Sequence, residues 1–241
     1  MIRTISPSRW PIFALIGAGA LGCGGDLLLP DPPGGGGNVA LSKVTGDNQT
    51  GTVGEKLADP LVVLVMTSRN EPAPSRKVAF EFTTEAGNVT PDTAVTNDVG
   101  QAVGRWILGT QPGSYTVRAR MADVEGESPV TEFTALAKAG APDTLSPRSP
   151  LSQPGRKGRE VNTPPGVRVV DRFGNPVAGI AVAWTVVTGK GAVSESITQS
   201  GADGTTTVTW TLGERAGVQK LTAAIGPVNG SPVTFTATVL F

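Results

Sequence analysis

Thr207-Val208-Thr209-Trp210-Thr211-Leu212-Gly213 alternates threonine with Val208, Trp210 and Leu212 and then stops at a glycine. A two-residue period with β-branched partners predicts a strand that buries one face. The chain carries this stretch twice, because 104 residues earlier Trp106-Ile107-Leu108-Gly109 falls on Trp210-Thr211-Leu212-Gly213. The match runs without a gap from Gly54 over Gly158 to Ala119 over Ala223, and sixteen of those 66 positions are identical. Among them are Pro60/Pro164, Val63/Val167, Val65/Val169, Pro72/Pro176, Val78/Val182, Gly87/Gly191 and Gly100/Gly204. These are turn-formers and apolar strand residues, and none is of a catalytic type. A repeat of about 100 residues is longer than the ~20–50 of solenoid units and suits tandem domains of ordinary size.

The same period recurs in both copies. Ile180, Val182, Trp184 and Val186 alternate with Ala181, Ala183, Thr185 and Val187, and Leu221/Ala223/Ile225 and Phe235/Ala237/Val239 continue the pattern. The first copy answers with Val78/Phe80/Phe82, Tyr115/Val117/Ala119 and Phe133/Ala135. Turn signals fall between them at 171–176, 189–191, 201–204 and 213–217. Short strands at this spacing predict an all-β fold of two tandem immunoglobulin-like β-sandwich domains, over 38–137 and 141–241. Residues 137–142 read as a short linker that permits limited bending.

Composition agrees and narrows the chemistry. The 241 residues include 32 Gly and 20 Pro but only 17% charged residues, which favours strands punctuated by turns over helices. There is no histidine, so Ser-His-Asp and Cys-His mechanisms, imidazole zinc sites and the usual general base at neutral pH are excluded. The one cysteine, Cys23, has no partner for an intrachain disulfide, so each domain must rest on its apolar core. Without residues 1–22 the chain holds 18 bases against 20 acids, a net charge near −2. Phosphate binding needs a basic face, so nucleic acid is not an expected partner.

Residues 1–22 have the order of a secretory signal: Arg3 and Arg9, an apolar stretch from Trp10 to Leu21, then small residues up to Gly22. The stretch is shorter than the ~20 residues that cross a bilayer as a helix. Ala20-Leu21-Gly22-Cys23 resembles the bacterial lipobox, although the preferred leucine three places before the cysteine is Ala20 here. The resemblance implies cleavage before Cys23 and a diacylglyceryl group on its sulfur. Gly24 after the cysteine, where an inner-membrane lipoprotein often carries Asp, implies delivery to the outer membrane. The alternative is cleavage after Ala18-Gly19-Ala20, which leaves Cys23 as a free thiol. Residues 23–37, with Pro30-Asp31-Pro32-Pro33 and Gly34 to Gly37, read as a Gly/Pro tether that holds the domains off a surface.

Val169-Val170-Asp171-Arg172-Phe173-Gly174-Asn175-Pro176-Val177-Ala178-Gly179, the Trp184 strand, and Ala202-Asp203-Gly204 before Val208-Thr209-Trp210-Thr211-Leu212-Gly213 together resemble the bacterial Ig-like domain of the Big-1 type. In the first copy, residues 42–54 look like that family's opening strand and turn, while Ser68-Arg69-Asn70-Glu71-Pro72 replaces the Asp-x-x-Gly-Asn-Pro turn. The resemblance covers 38–241. It implies the rods of invasin and intimin adhesins and supplies no catalytic residue. Those proteins have a membrane barrel and a recognition tip; here a lipid is expected to replace the barrel, with no tip after Phe241.

Other motifs have plainer readings. Gly17-Ala18-Gly19-Ala20-Leu21-Gly22 fits G-x-G-x-x-G but is followed by a tether instead of a helix, so no dinucleotide cofactor is expected. Asp123, Glu125 and Glu127 around Gly126 read as a solvated turn more than as a glycosidase pair. Asp171/Asn175, Asp92/Asn97/Asp98 and Asp203 can offer oxygens to calcium, but Asp and Asn are also what turns use, so no metal is expected. Trp106 and Trp210, in phase on equivalent strands, read as core and not as sugar platforms. Asn48-Gln49-Thr50, Asn88-Val89-Thr90 and Asn229-Gly230-Ser231 are ordinary turn sequences that also fit the glycosylation pattern. The expected function is that of a non-enzymatic, lipid-anchored envelope protein serving as a surface spacer or adhesion-type module. The alternative is a carbohydrate- or protein-binding module that uses end loops such as 123–127 or 226–232.

Overall fold

The alternating stretches form strands that bury one face. In the computed structural model, which describes residues 39–82 and 87–240, the described residues form strands and no helix. The signal segment 1–22, the tether 23–37 and Cys23 lie outside the described residues. The described residues belong to one compact unit, Gly36–Phe241.

The first sandwich contains β1 (Val39–Thr45), β2 (Gln49–Thr52), β3 (Leu61–Thr67), β4 (Lys77–Phe82), β5 (Gly87–Thr90), β6 (Thr93–Val95), β7 (Gln101–Leu108), β8 (Gly113–Met121) and β9 (Val130–Lys138). One sheet has the order β1-β3-β7-β5 and the other β2-β9-β8-β4-β6. The chain passes between them at Gly46-Asp47-Asn48, where Asp47 Oδ1 accepts hydrogen bonds from the amides of Asn48 and Thr134, both at 2.9 Å. β2 then pairs in parallel with β9, Gln49 opposite Ala135 and Thr52 opposite Lys138.

The second sandwich repeats the plan with β10 (Thr144–Pro147), β11 (Ser152–Gly155), β12 (Gly166–Val170), β13 (Ala181–Thr188), β14 (Ala192–Val193), β15 (Ile197–Gln199), β16 (Thr205–Thr207), β17 (Trp210–Thr211), β18 (Gly217–Ala224) and β19 (Val233–Val239). β10-β12-β16, extended by the β14-β17 pair, faces β11-β19-β18-β13-β15. β11 and β19 are again parallel, with Gln153 opposite Ala237.

The 104-residue correspondence holds at the level of single contacts. Val63/Val167, Val65/Val169, Val78/Val182, Ala119/Ala223 and Trp106/Trp210 are all fully buried. Each group packs in its own core, one built around Trp106 and Phe133, the other around Trp210 and Phe235. The amide of Gln49 brackets the backbone of Asp59 at 3.0 and 2.9 Å, and Gln153 brackets Thr163 at 2.8 and 3.0 Å. Buried Thr96 donates to the Ala73 carbonyl at 2.6 Å, and its counterpart Ser200 donates to Val177 at 2.8 Å. Such exchanges of one hydroxyl for another keep each buried donor satisfied.

The expected continuous strand over 207–212 is interrupted. β7 runs unbroken from Gln101 to Leu108, pairing with β3 over its first half and with β5 over its second. Its counterpart is split into β16 and β17 at Val208 and Thr209. The crossing point explains the difference: a Cβ at Gly104 would meet Val89 at 2.7 Å and Phe80 at 2.9 Å. Val208, which replaces Gly104, needs room for a buried side chain, and the strand gives way there. The linker is also shorter than expected, because Ala137 and Lys138 belong to β9, where Ala137 pairs with Gly113. Residues 139–143 alone join β9 to β10.

Candidate functional site

A dense set of specific contacts lies where the sandwiches meet. After β12 the chain makes a tight turn over 171–176, closed by Asp171 N donating to the Asn175 carbonyl and Gly174 N donating to the Asp171 carbonyl, both at 2.9 Å. Gly174 has φ 82, which favours glycine there. Asp171 is 2% exposed. Its Oδ1 accepts from the amides of Phe173 at 2.8 Å and Asn175 at 2.9 Å. Its Oδ2 accepts from Asn175 Nδ2 at 3.0 Å and from Gly140 N, in the segment between sandwiches, at 2.9 Å. Asn175 Nδ2 also donates to the Thr110 carbonyl of the first sandwich at 2.8 Å.

Phe173, at the tip of this turn, packs against the first sandwich's core. Its ring lies over Gly54, where an added Cβ would come within 2.6 Å of Cζ, and Gly54 has φ 70. The Arg172 guanidinium sits 4.6 Å from the ring centroid, a cation–π contact that orients the ring. A small cleft of about 220 Å³ opens beside them between Thr52, Glu55, Gly140, Asp143 and Arg172. Burial pushes the Asp171 carboxyl up, but the hydrogen bonds from Asn175, Gly140 and Phe173 outweigh it and hold its pKa below the usual 3.8. The carboxylate is therefore ionised at neutral pH and fully engaged by protein donors.

Each of the other candidates is accounted for locally. Asp203 accepts from Thr205 N at 3.0 Å and from the Thr205 hydroxyl at 2.8 Å. Asn97 Oδ1 accepts from Val99 N and Gln101 N. Asp92 and Asp98 are exposed. Among the described residues no group of three or more His, Cys, Asp or Glu is placed to hold a metal ion. Asp123 does not join Glu125 and Glu127 in a carboxylate pair. It binds Arg76 Nε at 2.7 Å and the Lys77 amide at 3.3 Å, while both glutamates are exposed. Loop 226–232 is not free at its centre, since Asn229 exchanges backbone hydrogen bonds with Asp143 and Leu145 at 2.9 and 2.8 Å. Trp106 and Trp210 are core residues with no exposed ring face, and Trp210 Nε1 has no hydrogen-bond partner.

Two residues of the architecture escape the sequence reading. Gln219 is 1% exposed and ties the turn before β18 by accepting from Gly213 N at 2.9 Å and donating to the Gly213 and Arg215 carbonyls at 3.0 and 2.9 Å. Its signal is a polar residue in phase with Leu221 and Ala223. Tyr115 has the same place in the first copy and donates its hydroxyl to the Gln111 carbonyl at 2.7 Å. The second residue is Phe173, an apolar side chain at a turn tip, where a solvated residue is the usual expectation.

No protein family matches the chain by sequence, and no curated protein does. Solved structures do match. The Escherichia coli adhesin FdeC superposes with a TM-score of 0.52 at 17% identity, over 85% of this chain and 64% of that one. The Yersinia pseudotuberculosis adhesin InvE gives 0.41 at 16% identity over 86% and 61%, and InvD of the same organism gives 0.46 at 17% over 83% and 57%. The chain thus spans less than two thirds of each of these structures. All-β Ig-like sandwiches of the kind found in bacterial adhesins are the fold of this chain, as the Big-1 resemblance implied.

Proposed function

We propose that the chain is a non-enzymatic cell-envelope protein whose two Ig-like domains, 38–137 and 141–241, act as a surface spacer or adhesion-type module. The observation that carries this reading is the junction. Asp171 holds the connecting segment through Gly140, Asn175 reaches the Thr110 carbonyl of the first sandwich, and Phe173 packs on that sandwich's core. Such a joint fits a module whose work is to hold a shape between two points. The signal-like residues 1–22 and the lipobox-like residues 20–23 support export and outer-membrane anchoring through a lipid on Cys23, with 23–37 as tether.

Labelling of cells with a palmitate analogue, wild type against Cys23→Ser, tests the anchor, and protease treatment of intact cells tests exposure. Label lost on substitution, with the sandwiches cleaved from outside, supports a surface-tethered module. No label in the wild type replaces the lipid reading by cleavage after Ala20 and a soluble exported protein. Partners under this reading are the membrane through the lipid and an extracellular or envelope protein or glycan. A ligand-binding role for loop 122–129 has one observation in its favour: Glu125 and Glu127 are exposed, whereas the equivalent loop 226–232 is stitched to Asp143 and Leu145.

A further inference from the structure

The strand registers fix which loops share an end. In the second sandwich Gly155 and Gly217 both pair with Val239, and Thr188 pairs with Lys220. The loop after β11 and the turns 189–191 and 213–216 therefore lie together, at the end away from the junction. They carry Arg156, Arg159, Lys190 and Arg215, all exposed and in none of the ion pairs among the described residues. Lys157, which already interacts within the protein, stands beside them. Glu160 and Glu214 are the acids of this end, and a cleft of about 850 Å³ opens there between Arg156, Arg159, Glu160 and Leu240.

The far end of the first sandwich has the opposite sign. Val39 pairs with Thr67 and Arg120 with Val130, which gathers the loops 68–72, 97–100 and 122–129. Glu71, Asp98, Glu125 and Glu127 are exposed there, and Asp123 is paired with Arg76. Arg69 and Lys77 are the bases of that end outside its ion pairs, in which Arg76 meets Asp123 and Arg120 meets Glu81.

These two ends also carry the counterparts of the two halves of the joint made inside the chain. By the 104-residue correspondence, Gly158 stands for Gly54 and the turn 67–72 for the turn 171–176. Phe173 covers Gly54 in the internal joint; at Gly158 the position is covered by Glu214, whose Oε1 would lie 2.5 Å from an added Cβ. Arg69 replaces Phe173 at the tip of the first turn. An apolar contact in the internal joint is thus replaced, on these two outer halves, by residues of opposite charge.

We propose that copies of this chain join head to tail, the 67–72 turn of one seated on the Gly158 end of the next. Arg69 then meets Glu214, while Glu125 and Glu127 face Arg156, Arg159 and Arg215. The contact uses different surfaces on its two sides, so it generates linear chains and not a closed dimer. It is driven by exposed charges and is screened accordingly.

Sedimentation velocity of the full chain carrying Cys23→Ser is the test. At about 0.01 M salt, where the Debye length is ~30 Å, the mean sedimentation coefficient should rise with protein concentration; at about 1 M, where it is ~3 Å, it should not. Glu214→Arg alone should weaken association more than about tenfold, and adding Arg69→Glu to it should restore association. All these residues are exposed, and far-UV circular dichroism of each variant checks that the fold persists. A sedimentation coefficient independent of concentration at low salt overturns the proposal. So does association that survives Arg156→Glu with Arg159→Glu, or a chain that stays monomeric while its basic end binds heparin or anionic vesicles, which assigns that end to a polyanion instead.

Discussion

The turn 171–176 and its counterpart 67–72 have nearly one backbone and two different consequences. Asp171 N donates to the Asn175 carbonyl and Thr67 N to the Glu71 carbonyl, at 2.9 and 2.8 Å. Gly174 N donates to Asp171 at 2.9 Å, and Asn70 N donates to Thr67 at 3.0 Å. The side chain at the first position accepts from the amides two and four residues on in both cases, Asp171 at 2.8 and 2.9 Å, Thr67 at 3.3 Å twice. What differs is the second carboxylate oxygen. Asp171 turns it outward to Gly140, whereas Thr67 has only one oxygen, whose bonds among the described residues are to its own turn. A one-oxygen difference separates a turn that closes on itself from one that also clasps a neighbour.

Substitutions at matched positions test this comparison. Asp171→Ala strips the acceptor from four donors in a buried site and should cost about 2–4 kcal/mol, at ~1 each with partial rescue by water. Urea unfolding followed by tryptophan fluorescence measures it, and Thr67→Ala should cost no more than about 1 kcal/mol by the same assay. Equal losses at the two positions would remove the distinction drawn here.

Phe173→Ala should leave both sandwiches folded but uncouple them, at a cost of about 1–2 kcal/mol for a half-buried aromatic. NMR relaxation should then give the halves separate rotational correlation times, where the wild type gives one. Acid probes the same joint. Because the folded Asp171 has a lowered pKa, its contribution is fully present above the usual 3.8 and is lost as pH falls through the lower folded value. Coupling should therefore be unchanged between neutral pH and pH about 5 and should fail only in stronger acid. The smallest effect is expected at the turn tips. Asn70 has φ 59 and Gly174 φ 82, so Asn70→Gly should change stability by less than about 0.5 kcal/mol, while Gly174→Ala should lose about 1 kcal/mol.

Most of the framework was legible because its signals are periodic and occur twice. Val78/Val182 and Trp106/Trp210 mark the buried phase of strands in both copies, and Gly100/Gly204 mark the turns. The joint was not legible, because an Asx-type turn looks the same in sequence whether its second oxygen faces water or Gly140. Phe173 is apolar at a place where patterns assign no burial, and its partner Gly54 reads as a plain turn glycine. The interruption at Val208 was hidden for the opposite reason: alternation continues through it, and only the close approach at Gly104 in the other copy reveals that the crossing needs a residue without a side chain. Gln219 carried a visible signal, a polar residue in an apolar phase, that periodicity alone discounts.

The parallel pairing of β2 with β9, and of β11 with β19, has a mechanical meaning. A pull on the two ends of either sandwich draws these neighbouring strands in opposite directions along their length. The ladder from Gln49/Ala135 to Thr52/Lys138 is then loaded across its hydrogen bonds all at once and not one rung at a time. Each sandwich is accordingly built to resist stretching in shear, and single-molecule extension should show two abrupt rips of similar contour length in place of a gradual unzipping.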